Sequence, residues 1–226
     1  MSDVSLDLRL KELLEVFLFE NSRLNLSAFR TNELCWTGNI LDSVSILDPK
    51  QIFVDCSKVR SIVDLGTGGG FPLLPLALAL PQAHCLGIDS TTKKIEAVGR
   101  IVTTMKIPNI ELKSDRIEVL AHQDRYREKA DLVTARALAP LNVLLEYAVP
   151  LLKVGGLCAF WKSTKVADEL AMSSNAQKVL SCRFFGTFEY DLGGAWGKRT
   201  IVFFRKDAAT PIDYPRKTGT PKSEPL

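Results

Sequence analysis

The chain has 226 residues, of which 46% are hydrophobic and 24% charged, and its 29 basic and 26 acidic side chains leave a net charge of +3. This composition excludes a disordered chain and is sufficient for one α/β domain with a small extension. The mildly basic balance permits a nucleic-acid partner without indicating one. No apolar run reaches the length needed to cross a bilayer, so we expect no membrane association.

Signals for targeting, disulfides and metals are missing from the sequence. The N-terminal stretch MSDVSLDLRL lacks the basic start and apolar run of a signal peptide, and the five cysteines are scattered and odd in number. Neither a Cys-x-x-Cys pair nor a Cys/His cluster occurs, which argues against a zinc site. We therefore expect a cytoplasmic protein without a metal.

Two helical segments are predicted before the first strand. The first has apolar residues at helical spacing from Leu6 to Leu18, with charged residues between them. The second covers about residues 33–48 and is closed by Pro49. We expect residues 1–55 to form a small helical cap.

Strands and helices then alternate along the chain, which predicts a mostly parallel sheet with helices on both faces. The predicted strands are 60–65, 84–89, 109–113, 130–135 and 156–161, and the predicted helices are 71–80, 91–106, 116–122, 140–149 and 164–179. Two more strands, 182–191 and 199–205, are separated by a glycine-containing connection typical of a hairpin. We expect this domain to span residues 56–206.

The last segment, residues 207–226, is rich in proline and has almost no apolar periodicity, so we expect it to be extended or disordered on its own. Arg216, Lys217 and Lys222 make it locally basic. It is either a solvated tail, which the composition slightly favours, or an arm that reaches a phosphate backbone.

The most informative stretch is SIVDLGTGGGFP, residues 61–72, which predicts a buried strand, a glycine turn and the start of a helix. Gly66, Gly68 and Gly70 are spaced differently from a dinucleotide-binding turn, and Phe71 stands where that motif has its third glycine. With Asp64 two residues before the first glycine, the pattern resembles the first motif of class I S-adenosylmethionine-dependent methyltransferases. In those enzymes the glycines make room for the methionine part of the cofactor. The alternative is an ordinary glycine-rich turn.

Polar residues at the other strand ends belong to the same predicted site, because ligands bind at the carboxyl ends of parallel strands. Asp89 lies nineteen residues after Gly70, where a carboxylate accepts hydrogen bonds from both ribose hydroxyls. Ser90 and Thr91 follow it and either cap the next helix or contact the adenosine.

The loops after the third, fourth and fifth predicted strands carry further candidates. In methyltransferases the loop around Ile117 and Glu118 holds the adenine, although Glu118 is equally compatible with a solvated helix start. Arg136 ends the fourth strand, beside the reactive methyl group in this fold, where it binds a phosphate or a base unless it forms a loop salt bridge. Lys162 ends the fifth strand and is a weaker candidate for the same role.

Six strings in order resemble the bacterial small-subunit ribosomal RNA guanine-N7 methyltransferases, also called glucose-inhibited division protein B. They are NLSAFR (25–30), NILDS (39–43), VDLGTGGGFP (63–72), IDSTTKK (88–94), DRIE (115–118) and ARALAP (135–140). The resemblance implies a class I fold with a seven-stranded sheet ending in an antiparallel hairpin, and methyl transfer from S-adenosylmethionine to one guanine of 16S ribosomal RNA.

The same resemblance assigns roles to individual residues. It implies that Gly66 and Phe71 flank the methionine part of the cofactor, and that Asp89, Ser90 and Thr91 meet its ribose. It further implies that Ile117 and Glu118 hold the adenine and that Arg136 lies at both cofactor and target base. Cofactor binding is thus predicted for Asp64, Gly66, Gly68, Gly70, Phe71, Asp89, Ser90, Thr91, Ile117, Glu118 and Arg136, and RNA binding for Asn25, Arg30, Asn39, Lys162, Arg216, Lys217 and Lys222.

One departure from the family pattern concerns the RNA face. The family usually has Arg-His before Ile-Leu-Asp-Ser, and this chain has Gly38 and Asn39 there. A cation and an imidazole are therefore missing near the predicted RNA contact.

The target chemistry is narrowed by what the strand ends lack. No Asn-Pro-Pro-Tyr loop follows the fourth strand and no cysteine occupies a nucleophile position, so a ring nitrogen that needs no general base is the preferred target. The alternatives are methylation of another RNA base or a small molecule, a non-catalytic module that senses the cofactor or binds the ribosome, and, distantly, a nicotinamide dehydrogenase. We expect a monomer.

Overall fold

The structure is a computed structural model that describes residues 3–164 and 166–226. Its centre is a seven-stranded sheet in the order β3-β2-β1-β4-β5-β7-β6. β1 to β5 are parallel, and β7 runs antiparallel to both of its neighbours. The strands are β1 (Ser61–Leu65), β2 (His84–Asp89), β3 (Ile110–Ser114), β4 (Ala130–Arg136), β5 (Leu152–Ser163), β6 (Cys182–Asp191) and β7 (Lys198–Lys206). The predicted fold class and the terminal hairpin are confirmed.

Apolar side chains cover both faces of the central strands. In β1, Ile62 belongs to the core on one face, whereas Val63 and Leu65 belong to the core on the other. Because side chains alternate along a strand, a strand covered on both faces carries apolar side chains in both directions, and β1 departs from this only at Ser61 and the buried Asp64.

Helices pack against the two faces of the sheet and precede it at the N-terminus. The α-helices are α1 (Asp3–Leu24), α2 (Asn32–Cys35), α3 (Asp42–Val44), α4 (Leu73–Ala79), α5 (Thr92–Thr104), α6 (Ile117–Leu120), α7 (Leu141–Ala148), α8 (Ala167–Met172), α9 (Ser174–Val179) and α10 (Thr220–Ser223). A π-helical turn, Trp36–Leu41, joins α2 to α3, and a 3₁₀ turn, Ser45–Leu47, follows α3. No helix in the described ranges has both the length and the hydropathy of a membrane span.

The N-terminal cap shares its core with the sheet domain. Leu13 and Phe17 of α1 are fully buried in the cluster that also contains residues of β1 and α4. The buried Glu20 receives hydrogen bonds from the Arg100 guanidinium of α5, the shortest at 2.8 Å. The cap is thereby fixed over one face of the sheet, while the proposed divisions at residues 55 and 206 stay predictions.

The C-terminal residues pack against the opposite face, contrary to the expectation of an extended or disordered tail. Pro215 and Pro221 are buried, and Tyr214 and Leu226 pack against the second apolar core. The Arg216 guanidinium forms an ion pair of 2.7 Å with Glu146, whose side chain is completely buried. Composition could not reveal this order, because a partner seventy residues earlier in the chain supplies it.

Candidate functional site

The glycine turn lies at the point where the strand order reverses, since β1 pairs with β2 on one side and β4 on the other. Gly66, Gly68 and Gly70 all have positive φ angles, of 63°, 53° and 93°, which other residues adopt only with strain. The Gly68 N–H donates to the Asp89 carboxylate at 3.0 Å. The turn is therefore tied to the carboxyl end of β2, where an open α/β sheet binds its ligand.

A cavity of about 190 Å³ opens beside this turn. Five of the predicted cofactor residues line it, namely Gly66, Asp89, Ser90, Ile117 and Glu118. Asp115, Leu138, Tyr147 and Lys222 contribute further wall. Of these, Asp115 belongs to the DRIE string and Lys222 is predicted from sequence as an RNA contact, not as a cofactor contact. The structure thus brings the ends of β1, β2 and β3 together around one space.

Asp89 is oriented by two main-chain donors. One carboxylate oxygen accepts from Gly68 N–H and the other from Thr91 N–H at 2.8 Å, while the side chain still borders the cavity. Thr91 is the N-cap residue of α5, and its side chain makes no capping bond. Thr91 therefore positions Asp89 through its backbone and does not line the cavity itself.

Glu118 is buried at the start of α6, contrary to the alternative of a solvated helix residue. Its Oε1 accepts a hydrogen bond of 2.9 Å from the N–H of Gly219, which belongs to the C-terminal residues. A buried carboxylate that borders a cavity is costly unless polar groups face it, so this position indicates binding of a hydrogen-bond donor.

Several predicted cofactor residues do not border the cavity. Asp64 is 1% exposed in β1, where its Oδ1 accepts a 2.7 Å hydrogen bond from the Thr134 hydroxyl. Burial raises the pKa of Asp64 to about 6, and the neighbouring hydroxyls and Arg136 offset part of that shift. Phe71 packs edge-on against Phe17, with ring centroids 4.7 Å apart. Asp64 and Phe71, like Gly68, Gly70 and Thr91, lie in or next to the glycine turn and do not line the cavity.

A larger cavity of about 420 Å³ lies on the other side of the loop that follows β4. Ala137 faces the larger cavity, whereas Leu138 and Ala139 face the smaller one. Ala137 has a φ of 54°, a strained backbone conformation of the kind that clusters at functional sites. Aromatic and basic side chains dominate the wall of the larger cavity, including Phe29, Trp161, Tyr190, Trp196, Arg136 and Arg199.

Arg136 is held by the N-terminal cap, and its role as a cofactor contact stays a prediction. Its guanidinium donates to the Gly38 carbonyl at 2.6 Å, to Asp42 Oδ2 at 2.8 Å and to Asn39 Oδ1 at 2.8 Å. It borders the larger cavity and not the cavity of Asp89. Arg136 therefore joins the cap to the end of β4 at the wall of the second space.

Asp42 has both carboxylate oxygens engaged. Oδ2 receives Arg136, and Oδ1 receives the Tyr190 hydroxyl at 2.5 Å. Burial, followed by the nearby Asp42 charge, raises the pKa of Tyr190, so the phenol keeps its proton. Neither side chain is a free proton acceptor in this arrangement.

The residues predicted to bind RNA have mixed positions. Asn39 is 1% exposed and accepts a hydrogen bond from Arg136, and Arg216 is paired with Glu146. RNA binding by these two residues stays a prediction. Lys162 donates to the Ala139 carbonyl and to Glu169, which makes it a structural cation at the wall of the larger cavity. Exposed candidates remain at Asn25, Arg30, Lys217 and Lys222, with Arg30 bonded to Asn25 at 2.6 Å.

Close packing accounts for Gly38, which departs from the family pattern. A Cβ at this position would lie 2.4 Å from the Trp196 ring and 2.5 Å from the Phe29 ring. These two rings pack edge-on at 4.9 Å and line the larger cavity. The space that a longer side chain would occupy is taken by Trp196 from the terminal hairpin.

Comparison with known proteins identifies the family of the chain. The model of the GidB family, described as rRNA small subunit methyltransferase G, matches residues 8–187. The chain belongs to the GidB family.

Relatives and solved structures fit the assignment. A protein named ribosomal RNA small subunit methyltransferase G from Exiguobacterium sp. is 37% identical over 216 residues, covering 96% of this chain and 89% of the relative. A protein of the same name from Geobacillus kaustophilus is 34% identical and covers 94% and 87%. A putative O-methyltransferase from Klebsiella pneumoniae superposes with a TM-score of 0.60 at 14% identity, covering 87% and 90%, which shows a shared fold.

Sequence reasoning missed much of the wall of the larger cavity. Asp42 falls within the NILDS string, in which only Asn39 is predicted to make a contact. Tyr190, Trp196 and Arg199 come from β6, the connection and β7, and no local pattern marks them, since the antiparallel hairpin alone brings them back to the site. Within the described residues, no cluster of His, Cys, Asp or Glu is suited to a metal ion.

Proposed function

We propose that this chain transfers a methyl group from S-adenosylmethionine to N7 of a guanine in the 16S ribosomal RNA of the small subunit. The main support for this function is the pair of cavities on either side of residues 137–139. One is bordered by carboxylates suited to a nucleoside, and the other by aromatic rings and an arginine suited to a base and its phosphate. Membership of the rRNA small subunit methyltransferase G family supports the same substrate.

The smaller cavity fits the cofactor by the chemistry of its wall. Asp89 ends β2 with its carboxylate at the cavity, where a ribose diol finds an acceptor, and Gly66 lets a ligand approach the main chain. Ile117 supplies an apolar surface for a purine and Glu118 an acceptor for its amino group. When bound, S-adenosylmethionine supplies a methyl group carried on a positively charged sulfur.

The larger cavity fits a flipped or unstacked base. Phe29 and Trp196 offer ring surfaces for stacking, which is a common way for proteins to hold a base outside its helix. Arg199 borders the same space and supplies a cation for the nucleotide phosphate.

The arrangement of Asp42 supports chemistry without a general base. Guanine N7 carries a free lone pair at neutral pH, so the chain does not need to remove a proton from it. Asp42, the acidic side chain at this cavity wall, already accepts from Arg136 and Tyr190. The chain therefore contributes positioning and a preorganised electrostatic environment.

The test measures methyl transfer to unmodified small ribosomal subunits. Wild-type protein incubated with labelled S-adenosylmethionine should transfer label to the 16S RNA. Asp89→Ala should lower kcat/KM for the cofactor by about 100-fold, because two charge-assisted hydrogen bonds to the ribose are lost. Lys178→Ala, at an exposed lysine of α9 that lines neither cavity, serves as the control and should retain near wild-type values. Binding of the cofactor without transfer would instead favour a non-catalytic module.

A further inference from the structure

The C-terminal segment, residues 214–226, lies against the end of the smaller cavity that is bordered by α6. Gly219 donates its N–H to Glu118 Oε1 at 2.9 Å, and Lys222 lines the cavity itself. The proposed methyl transfer assigns no role to this segment. Its position raises the question of what it does for the cofactor.

Several contacts fix the segment in one register. Arg216 donates from its main-chain N–H and from its guanidinium to the carboxylate of the wholly buried Glu146, at 2.7 to 2.9 Å. Arg127 donates to the Tyr214 carbonyl at 2.8 Å, and the His122 ring donates to the Pro215 carbonyl at 2.7 Å. These anchors determine where the Gly219 N–H points.

The contact with Gly219 leaves half of the Glu118 carboxylate for a ligand. Oε1 is taken by the main-chain donor, and among the described residues Oε2 has no hydrogen-bond partner while Glu118 borders the cavity. A carboxylate accepts hydrogen bonds and donates none when ionised. Once Oε1 is fixed, the remaining oxygen selects a ligand that presents an N–H, such as the amino group of adenine.

We propose that the C-terminal segment is a positioning element of the cofactor site, which holds Glu118 so that its free oxygen recognises the adenine amino group. This inference rests on the proposed cofactor site. It assigns specificity to a segment whose own side chains are mostly exposed. Lys222 is the residue of this segment that lines the cavity, and the other lining residues belong to the sheet domain.

The test compares two ligands that differ at the amino group. Isothermal titration calorimetry gives the Kd for S-adenosylhomocysteine and for its 6-deamino analogue, in which hydrogen replaces the amino group. Wild-type protein should prefer the adenosyl ligand by about tenfold or more, the size expected for one hydrogen bond to a charged group. Glu118→Ala defines complete loss of that preference.

Gly219→Val perturbs the proposed device without touching the cavity wall. Gly219 has a φ of 89°, which valine does not adopt, and no heavy atom lies within 4 Å of an added Cβ, so the change acts through the backbone alone. The matched control is Gly155→Val, because exposed Gly155 has a φ of 84° near the amino end of β5. Gly219→Val should bind the adenosyl ligand about tenfold more weakly and the deamino analogue unchanged, and Gly155→Val should keep the wild-type preference.

A second variant removes the segment itself. Deletion of residues 214–226 together with Glu146→Gln takes away the segment and the buried charge that it would leave unpaired. It should also lose the preference. An unchanged preference in both variants, or an equal weakening of both ligands, overturns the inference while the cofactor site stands. Failure of wild-type protein to bind S-adenosylhomocysteine overturns the site and the inference together.

Discussion

Replacing Arg136 by methionine should lower stability and methyl transfer but leave cofactor binding nearly unchanged. The change removes hydrogen bonds to the Gly38 carbonyl, Asn39 and Asp42, while the Arg136 and Asp42 side chains are only 18% and 12% exposed. Breaking a buried ion pair from one side costs about 3–5 kcal/mol. Because water reaches both partners in part, we expect the free energy of unfolding to fall by about 3 kcal/mol. That corresponds to a lower melting temperature by about 6–12 °C for a chain of this length.

Urea unfolding, calorimetry and two activity measurements test this prediction. A double-mutant cycle with Asp42→Asn should give a coupling energy of about 1–2 kcal/mol. Methyl transfer should fall at least 100-fold by the loss of positioning, and the Kd for S-adenosylhomocysteine should stay within about threefold, since Arg136 does not border the cofactor cavity. Arg30→Met, at an exposed arginine, is the control and should change stability by less than about 0.5 kcal/mol. Equal stability of the two variants would refute the reasoning.

Three further changes give distinct outcomes. Because burial raises the folded-state pKa of Asp64 to about 6 from 3.8, this carboxyl holds an extra proton in the folded state between pH 4 and 6, and its contribution to the free energy of unfolding falls as the pH rises through that window. Asp64→Asn should remove this contribution, which amounts to a difference of about 3 kcal/mol between the free energies of unfolding that urea titrations give at pH 4 and pH 8. An unchanged difference would contradict the raised pKa of Asp64. Arg216→Met should lower the free energy of unfolding by about 3–5 kcal/mol, since it removes the cation and leaves the buried Glu146 carboxylate with only the main-chain N–H of residue 216. The neighbouring Lys217→Met should have almost no effect, and equal losses would count against the ion pair. Gly66→Ala should raise the Kd for S-adenosylhomocysteine about tenfold more than Gly68→Ala. The new Cβ at Gly66 would lie 2.7 Å from Leu138, which lines the cavity, whereas a Cβ at Gly68 would have no atom closer than 3.7 Å. Equal effects of the two substitutions would place the cofactor elsewhere.

The sequence predicted the sheet well because its signals are local. Strand β2 was predicted with its observed bounds, and β1 and β4 differ by one residue each, since runs of apolar residues between turns depend on neighbours in the chain. β5 begins at Leu152, four residues before its predicted start. That extension includes the strand irregularity opposite Ala130, a feature of pairing that periodicity does not encode.

The candidate site was predictable where strand ends determine it. Asp89, Ser90, Ile117 and Glu118 border one cavity because the carboxyl ends of parallel strands meet at one edge. Arg136 was placed correctly at the end of β4, but its three partners lie in the cap nearly one hundred residues earlier. Partners at that separation leave no pattern in the local sequence.

The C-terminal segment was misjudged for the same reason. Its proline-rich composition is typical of disorder, yet Glu146 and Glu118 supply buried carboxylates that fix Arg216 and Gly219. Such a segment is ordered by the surface of the chain against which it packs, and the composition of the segment does not describe that surface.

The most direct test of the central claim is the identity of the modified nucleoside. Small ribosomal subunits that lack the modification are incubated with this protein and labelled S-adenosylmethionine, and the 16S RNA is digested to nucleosides and separated by chromatography with mass detection. The label should appear as 7-methylguanosine at a single position. Label in any other nucleoside, or no label in the RNA while the protein binds the cofactor, would contradict the account.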